Sequence, residues 1–201
     1  MTSTQFINDI SGVILAGGRS SRMGEDKALK KFNNSALIEY TIKKIQHQVK
    51  KILINTNQNL ADYQKLGYPL ISDINPDRLG PLSGIYSSLQ KTNTNWVFFS
   101  ACDTPFLPND IVKRLYDEAL KQDKLIAVVK TNDKLQPLVL LLHKDLTKNL
   151  NEFIKTGERK TQDWILQQHP AIVDCSNNSN AFMNINTAQD FLNFEKLYQH
   201  E

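Results

Sequence analysis

The chain has 201 residues, with 24 basic against 21 acidic for a formal charge of +3, and it is 40% hydrophobic and 22% charged. That length closes a substantial core and that balance excludes extended disorder, while the dispersed charge offers no basic block of the kind that binds nucleic acid. Cys102 and Cys175 stand far apart, with no C-x-x-C spacing and no histidines at ligand intervals, so neither a disulfide framework nor a zinc site is indicated and a reducing cytoplasm suits the chain.

The opening Met1-Thr2-Ser3-Thr4-Gln5 lacks a basic stretch followed by an apolar one, and no apolar run approaches the roughly 20 residues that span a bilayer. Neither secretion nor membrane insertion is expected. Residues 1–10 read as a short tail and residues 11–201 as a single domain.

In chain order, Val13-Ile14-Leu15 reads as a buried strand that stops at Gly17-Gly18. From Ala36 to Val49 the apolar residues Leu37, Ile38, Ile42, Ile45 and Val49 recur at helical spacing, with lysines opposite. Ile52-Leu53-Ile54 and Tyr68 to Ile71 are further strand candidates, ending at Asn55-Thr56-Asn57 and at Ser72-Asp73. Trp96-Val97-Phe98-Phe99 is apolar throughout, as a strand covered on both faces must be, and it runs into Cys102-Asp103. Helical patterns at about Leu82 to Gln90 and Asn109 to Lys121 separate these strands. Leu125 to Val129 and Pro137 to Leu142 add two more strands before a largely helical C-terminal third, in which Phe191, Leu192, Phe194, Leu197 and Tyr198 form an apolar stripe expected to dock on the core. Cys175 to Asn180 reads as a surface loop. Such alternation predicts a mostly parallel sheet covered on both faces.

In open α/β sheets ligands bind at the carboxyl ends of the strands, and those ends here carry Gly17-Gly18, Asn55, Asp73 and Asp103. The loop from Leu15 to Lys27 combines glycines, whose bare backbone admits an anion, with the cations Arg19, Arg22 and Lys27. It reads as a triphosphate cradle. No Gly-Lys-Ser or Gly-Lys-Thr follows the glycines and G-x-G-x-x-G is absent, which disfavours a P-loop ATPase and an ordinary dinucleotide-binding dehydrogenase. The four histidines fall outside these segments, and Cys102 has no histidine partner in sequence, so neither a histidine base nor a cysteine nucleophile is indicated.

The string L-A-G-G-x-x-x-R-M-G-x-D-K after the first strand resembles the signature of molybdenum cofactor guanylyltransferases. The resemblance continues through Gly80-Pro81-Leu82-Ser83-Gly84-Ile85, Cys102-Asp103-Thr104-Pro105, Gln136-Pro137-Leu138, Thr156-Gly157-Glu158-Arg159-Lys160 and Asn184-Ile185-Asn186-Thr187, spanning about Gly12 to Phe191. It implies a three-layer Rossmann-like nucleotidyltransferase fold with a mostly parallel central sheet.

It also implies GTP and molybdopterin as substrates, a magnesium ion as cofactor, and transfer of GMP to the terminal phosphate of molybdopterin with release of pyrophosphate. The backbone of Leu15, Ala16 and Gly17, with Gly18, would then hold guanine, and Lys27 and Arg22 would reach the phosphates. Asn55 and Asp73 would hold base or ribose, Gly80 and Gly84 would line the pocket, and Asp103 would hold magnesium. Asn184, Asn186 and Arg159 would face the molybdopterin. Proteins that deliver the pterin or receive the product would be the partners.

Each residue also has a plainer reading. Asp103 suits a strand-ending turn before Thr104-Pro105, Asp26 suits pairing with Arg22 or Lys27 to hold the loop, and Arg159 with Lys160 suits a solvated helix end. Asn-Ile-Asn-Thr before Ala188-Gln189-Asp190 suits a turn with Thr187 as helix cap. Enzymatic alternatives are a molybdopterin cytidylyltransferase, whose relatives carry L-A-A-G at the first turn, and a sugar-phosphate nucleotidyltransferase. A non-catalytic nucleotide-binding adaptor is the alternative of another class.

Overall fold

The computed structural model describes residues 8–17, 26–32, 34–74, 80–187, 189, 190, 192, 193 and 196. Gly18 and Arg22 of the glycine-rich loop lie outside them, as do Phe191, Phe194, Leu197 and Tyr198.

Seven strands form one sheet among the described residues: β1 (Ile10–Leu15), β4 (Lys51–Asn55), β5 (Leu70–Ile71), β6 (Trp96–Ala101), β7 (Ile126–Thr131), β8 (Lys134–His143) and β9 (Ala171–Asp174), in the order β5-β4-β1-β6-β8-β7-β9. A two-stranded ribbon of β2 (Lys31–Phe32) and β3 (Ser35–Ala36) stands apart, turning through Asn34 at a φ of 69°. β1 lies between β4 and β6, parallel to both, with Leu15 level with Asn55 and Ala101. The loops that carry the candidate residues therefore leave the sheet side by side.

The strands sort their side chains by alternation, since successive residues point to opposite faces. Ile10 and Ile14 of β1, with Trp96 and Phe98 of β6, pack on one face against α1 (Leu37–Ile45) and α4 (Ile111–Lys121). Val13, Leu15, Val97 and Phe99 pack on the other, against α3 (Pro81–Lys91), α5 (Thr147–Lys155) and α6 (Thr161–Gln167). A short helix, α2 (Leu60–Gln64), buries Tyr63. This is the three-layer arrangement that the sequence pattern predicts.

The departures have physical causes. α1 stops at Ile45 although the apolar spacing runs on to Val49. Gln48 turns its side chain back, donating to the Lys44 and Pro108 carbonyls and accepting the Val112 amide, so it satisfies a helix-end carbonyl and joins α1 to α4. β8 is antiparallel to β6 and β7, because Asn132-Asp133 closes a two-residue hairpin with Asn132 at a φ of 51°. Beyond Val128, β7 pairs with Gln136 rather than with the next residue of β8, leaving Pro137, Leu138 and Val139 in a bulge that accommodates the missing proline amide. β9 interrupts the C-terminal third that periodicity assigns to helix. Ala171-Ile172-Val173 becomes a strand through parallel pairing with β7. The segment from Cys175 is a series of 3-10 turns over Ser176–Phe182 that buries Ala181 and Phe182. Leu192, the described member of the C-terminal stripe, is exposed instead of docked on the core.

Candidate active site

Two groups of side chains gather where β1, β4, β5 and β6 end. The first surrounds Asn55. Ala16 donates its amide to the Asn55 carbonyl at 2.8 Å, which ties the start of the glycine-rich loop to the end of β4. The Asn55 carboxamide donates to the Ile71 carbonyl at 3.1 Å and to Asp73 Oδ1 at 2.8 Å, so both its hydrogens are committed and its Oδ1 is turned the other way. That oxygen faces Gly84 of α3, where an added Cβ would lie 2.2 Å from it, and Gly17, where the distance would be 3.9 Å. Asn55 is buried and Gly17 exposed, so an acceptor lies fixed beneath an open glycine turn.

Asn57 belongs to this group as well, although no motif marks it. Its Oδ1 accepts the Asp73 amide at 2.8 Å, and the next amide, of Ile74, donates to Ser87 of α3. The only sequence trace of this role is the polar run after the strand. Gly80 serves differently from Gly84. It lies at a φ of 56° just before Pro81 opens α3, with open space at its Cβ position, so the backbone conformation requires glycine there.

The second group surrounds Lys27. Its Nζ donates to Asp103 Oδ2 at 2.6 Å and to Asn186 Oδ1 at 2.9 Å, joining three segments that are remote in sequence. Ile185 donates its amide to the Asp103 carbonyl at 3.0 Å, and its side chain is buried with Leu37 and Tyr40. The turn after it is capped reciprocally: Asp190 accepts the Asn186 and Thr187 amides, and Thr187 Oγ1 accepts the Asp190 amide. Those amide bonds hold the Asp190 carboxyl below the usual carboxylate range. The cap reading of this segment and the site reading of Asn186 are thus compatible. Asn184 lies exposed two residues before.

Asp103 is mostly buried, and among the described residues its Oδ1 has no hydrogen-bond partner while Oδ2 binds Lys27. A buried carboxylate oxygen left open in this way is what a hard cation requires. Among the described residues no three acidic, histidine or cysteine side chains gather as a metal cage. A hard divalent cation can bind through one or two carboxylates and complete its shell with water and substrate phosphate. Burial pushes the neighbouring Cys102 thiol far up, with Asp103 adding to it, so the thiol stays protonated and packs at the strand end.

Asp26 does not pair with Lys27, whose charge is taken by Asp103. It holds the loop by other means, capping the 3-10 turn Lys27–Leu29 and accepting from Asn59 and Tyr63. Arg159 is exposed, with its guanidinium on the Glu158 and Ile154 carbonyls, and the structure does not bring it to the Lys27 group. With Lys160 it borders an open groove of about 560 Å³, whose other walls include Pro81 and the bulged Pro137 and Leu138.

The arrangement has known counterparts. A MobA-like NTP transferase domain matches residues 12–172. The molybdenum cofactor guanylyltransferase of Shewanella baltica (strain OS155) is 39% identical over 183 residues, covering 90% of this chain and 93% of that protein. That of Shewanella loihica is 39% identical over 181 residues, covering 90% and 92%. The structure of molybdopterin-guanine dinucleotide biosynthesis protein A from Archaeoglobus fulgidus shares the fold, with a TM-score of 0.78 at 21% identity over 95% of this chain and 100% of that one. With its similarity running through nearly all of the relatives' length, the chain belongs to the MobA-like NTP transferase domain family, among the molybdenum cofactor guanylyltransferases, and is a nucleotidyltransferase.

Proposed function

We propose that this enzyme transfers GMP from GTP to the terminal phosphate of molybdopterin, forming the guanine dinucleotide and releasing pyrophosphate. The observation that carries this reading is the Lys27–Asp103 pair, a cation beside a mostly buried carboxylate with one oxygen unpartnered among the described residues, at the end of the strand next to the glycine turn. The names of the similar proteins support guanine as the base and molybdenum cofactor biosynthesis as the setting. We read residues 11–201 as a single domain acting in the cytoplasm, where two free cysteines are at home.

In this reading Leu15, Ala16, Gly17 and Gly18 receive the base, with Asn55 Oδ1 as a fixed acceptor whose orientation Asp73 maintains. Lys27, with Arg22, neutralises the phosphates. Asp103, through its unpartnered oxygen, would hold magnesium. The ion, when bound, neutralises charge on the α-phosphate and the leaving pyrophosphate. The attacking phosphate monoester has a second pKa near about 6 and is ionised at neutral pH, so no side chain needs to take its proton. No histidine is therefore required. What remains for the protein is alignment and charge stabilisation. Asn186, Asn184 and Arg159 serve the pterin, and the groove beside Arg159 gives it room next to α3, the helix that also carries Gly84. Proteins that deliver the pterin would approach this side. No described helix is long and apolar enough to cross a membrane.

A thermal-shift comparison of GTP, CTP, ATP and UTP, with and without magnesium, tests the assignment, because a ligand at about 100 times its Kd adds about 2.7 kcal/mol of apparent stability. GTP with magnesium is expected to give the largest rise. A larger rise with CTP would turn the reading to the cytidylyltransferase, and equal indifference to all four would turn it to a non-catalytic adaptor. Lys27→Ala is expected to weaken GTP about tenfold to a hundredfold, the range of one or two charge-assisted hydrogen bonds. GMP affinity, measured by the same titration, should change little, since GMP lacks the β- and γ-phosphates.

A further inference from the structure

Asp26 has no part in the nucleotide, metal and pterin contacts assigned above, yet three hydrogen bonds converge on its carboxylate. Its Oδ1 accepts the Ala28 amide at 3.1 Å, and its Oδ2 accepts from Asn59 Nδ2 and from the Tyr63 hydroxyl at 3.0 Å each. The turn it caps begins at Lys27, and the Leu29 amide closes back on the Asp26 carbonyl at 3.0 Å. Tyr63 has no exposed surface, and burial holds its phenol far above the usual range, so it stays a donor. Asn59 enters α2 in a left-handed conformation, at a φ of 50°, of a kind that a short polar side chain tolerates. Both donors are thus fixed by the fold rather than by the loop.

Lysine is a point charge on a flexible four-carbon stem, so its aim depends on where its backbone is held. Asp103 and Asn186 fix the far end of Lys27, and Asp26 fixes the near end. We propose that Asp26 is a positioning residue for nucleotide binding: by pinning the Lys27–Leu29 turn to Asn59 and Tyr63, it delivers the Lys27 ammonium to the triphosphate. The proposal rests on the reading of Lys27 as a phosphate-binding cation. Without the pin, Lys27 keeps its charge, but its turn must be ordered anew each time nucleotide binds, and affinity falls accordingly.

The test is a double-mutant cycle read by isothermal titration of GTP in magnesium buffer. Asp26→Ala is expected to weaken GTP about tenfold, the scale of hydrogen bonds to a charged group. In a Lys27→Ala background the same change should add nothing, because there is no ammonium left to aim. Tyr63→Phe keeps the ring in the core and removes one of the three bonds. It should weaken GTP about threefold, again only when Lys27 is present. An equal loss in both backgrounds would make Asp26 a fold residue alone and overturn the proposal. Undiminished GTP binding by Lys27→Ala itself would instead overturn the reading of Lys27, and the proposal with it. Should Asp26→Ala fail to fold, the Tyr63→Phe cycle decides on the same criterion.

Discussion

Asp103→Ala should lower turnover about a thousandfold, the upper range for removing one preorganised electrostatic contact, while GTP affinity changes far less. Two opposing effects separate these quantities. The substitution removes the unpartnered Oδ1 and, on the proposed reading, the site's anchor for positive charge at the α-phosphate. It also removes a negative charge that repels the triphosphate and frees Lys27, which retains Asn186 as a partner. The second effect partly offsets the first in binding, but not in the reaction, where charge develops on the leaving pyrophosphate. Single-turnover kinetics beside a GTP titration read the two directly. Near-normal turnover in magnesium would remove Asp103 from the mechanism.

Gly84→Ala should lower stability by about 1–3 kcal/mol, the usual range for overpacking. The sign is informative, because glycine to alanine inside an exposed helix stabilises by about 1 kcal/mol. Here the added Cβ would lie 2.2 Å from Asn55 Oδ1, 3.0 Å from its Cγ and 3.2 Å from Leu15 Cδ2. Asn55 is 3% exposed and can move only by releasing the Ile71 carbonyl and Asp73. Nucleotide affinity should fall with it, by about a hundredfold, since the acceptor and the orientation of Asp73 are lost together. Thermal denaturation and a GTP titration check both parts. Combining the change with Asn55→Ala should recover stability without recovering affinity. A rise in melting temperature for Gly84→Ala alone would show that the carboxamide yields without resistance.

The division between what sequence reveals and what it hides follows the range of the forces involved. β1, β4 and β6, with α1 and α3 between them, declare themselves because hydrophobic periodicity is local and each strand end is marked by Gly17, Asn55 or Asp103. β9 does not, since three apolar residues between Pro170 and Asp174 become a strand only by pairing with β7, more than 40 residues earlier. The end of α1 is hidden for a similar reason: Gln48 looks like a surface residue until Pro108 and Val112 arrive beside it. In the site, the carboxyl-end rule locates Asn55, Asp73 and Asp103 without reference to any relative. The meeting of Lys27 with Asn186 across 159 residues is foreshadowed only by resemblance, and the convergence of Tyr63 and Asn59 on Asp26 leaves no trace in spacing.

The bond from the Ile185 amide to the Asp103 carbonyl joins the strand end that carries Asp103 to the segment that presents Asn186, and main-chain atoms make both halves of it. Side chains at either position can drift without breaking the joint, provided residue 185 is not proline, the one residue with no amide hydrogen to donate. The union of the two sides of the site is therefore robust to mutation in a way that the Lys27 contacts are not. An alanine scan would pass over it, and its importance would surface only when the chain path itself is altered.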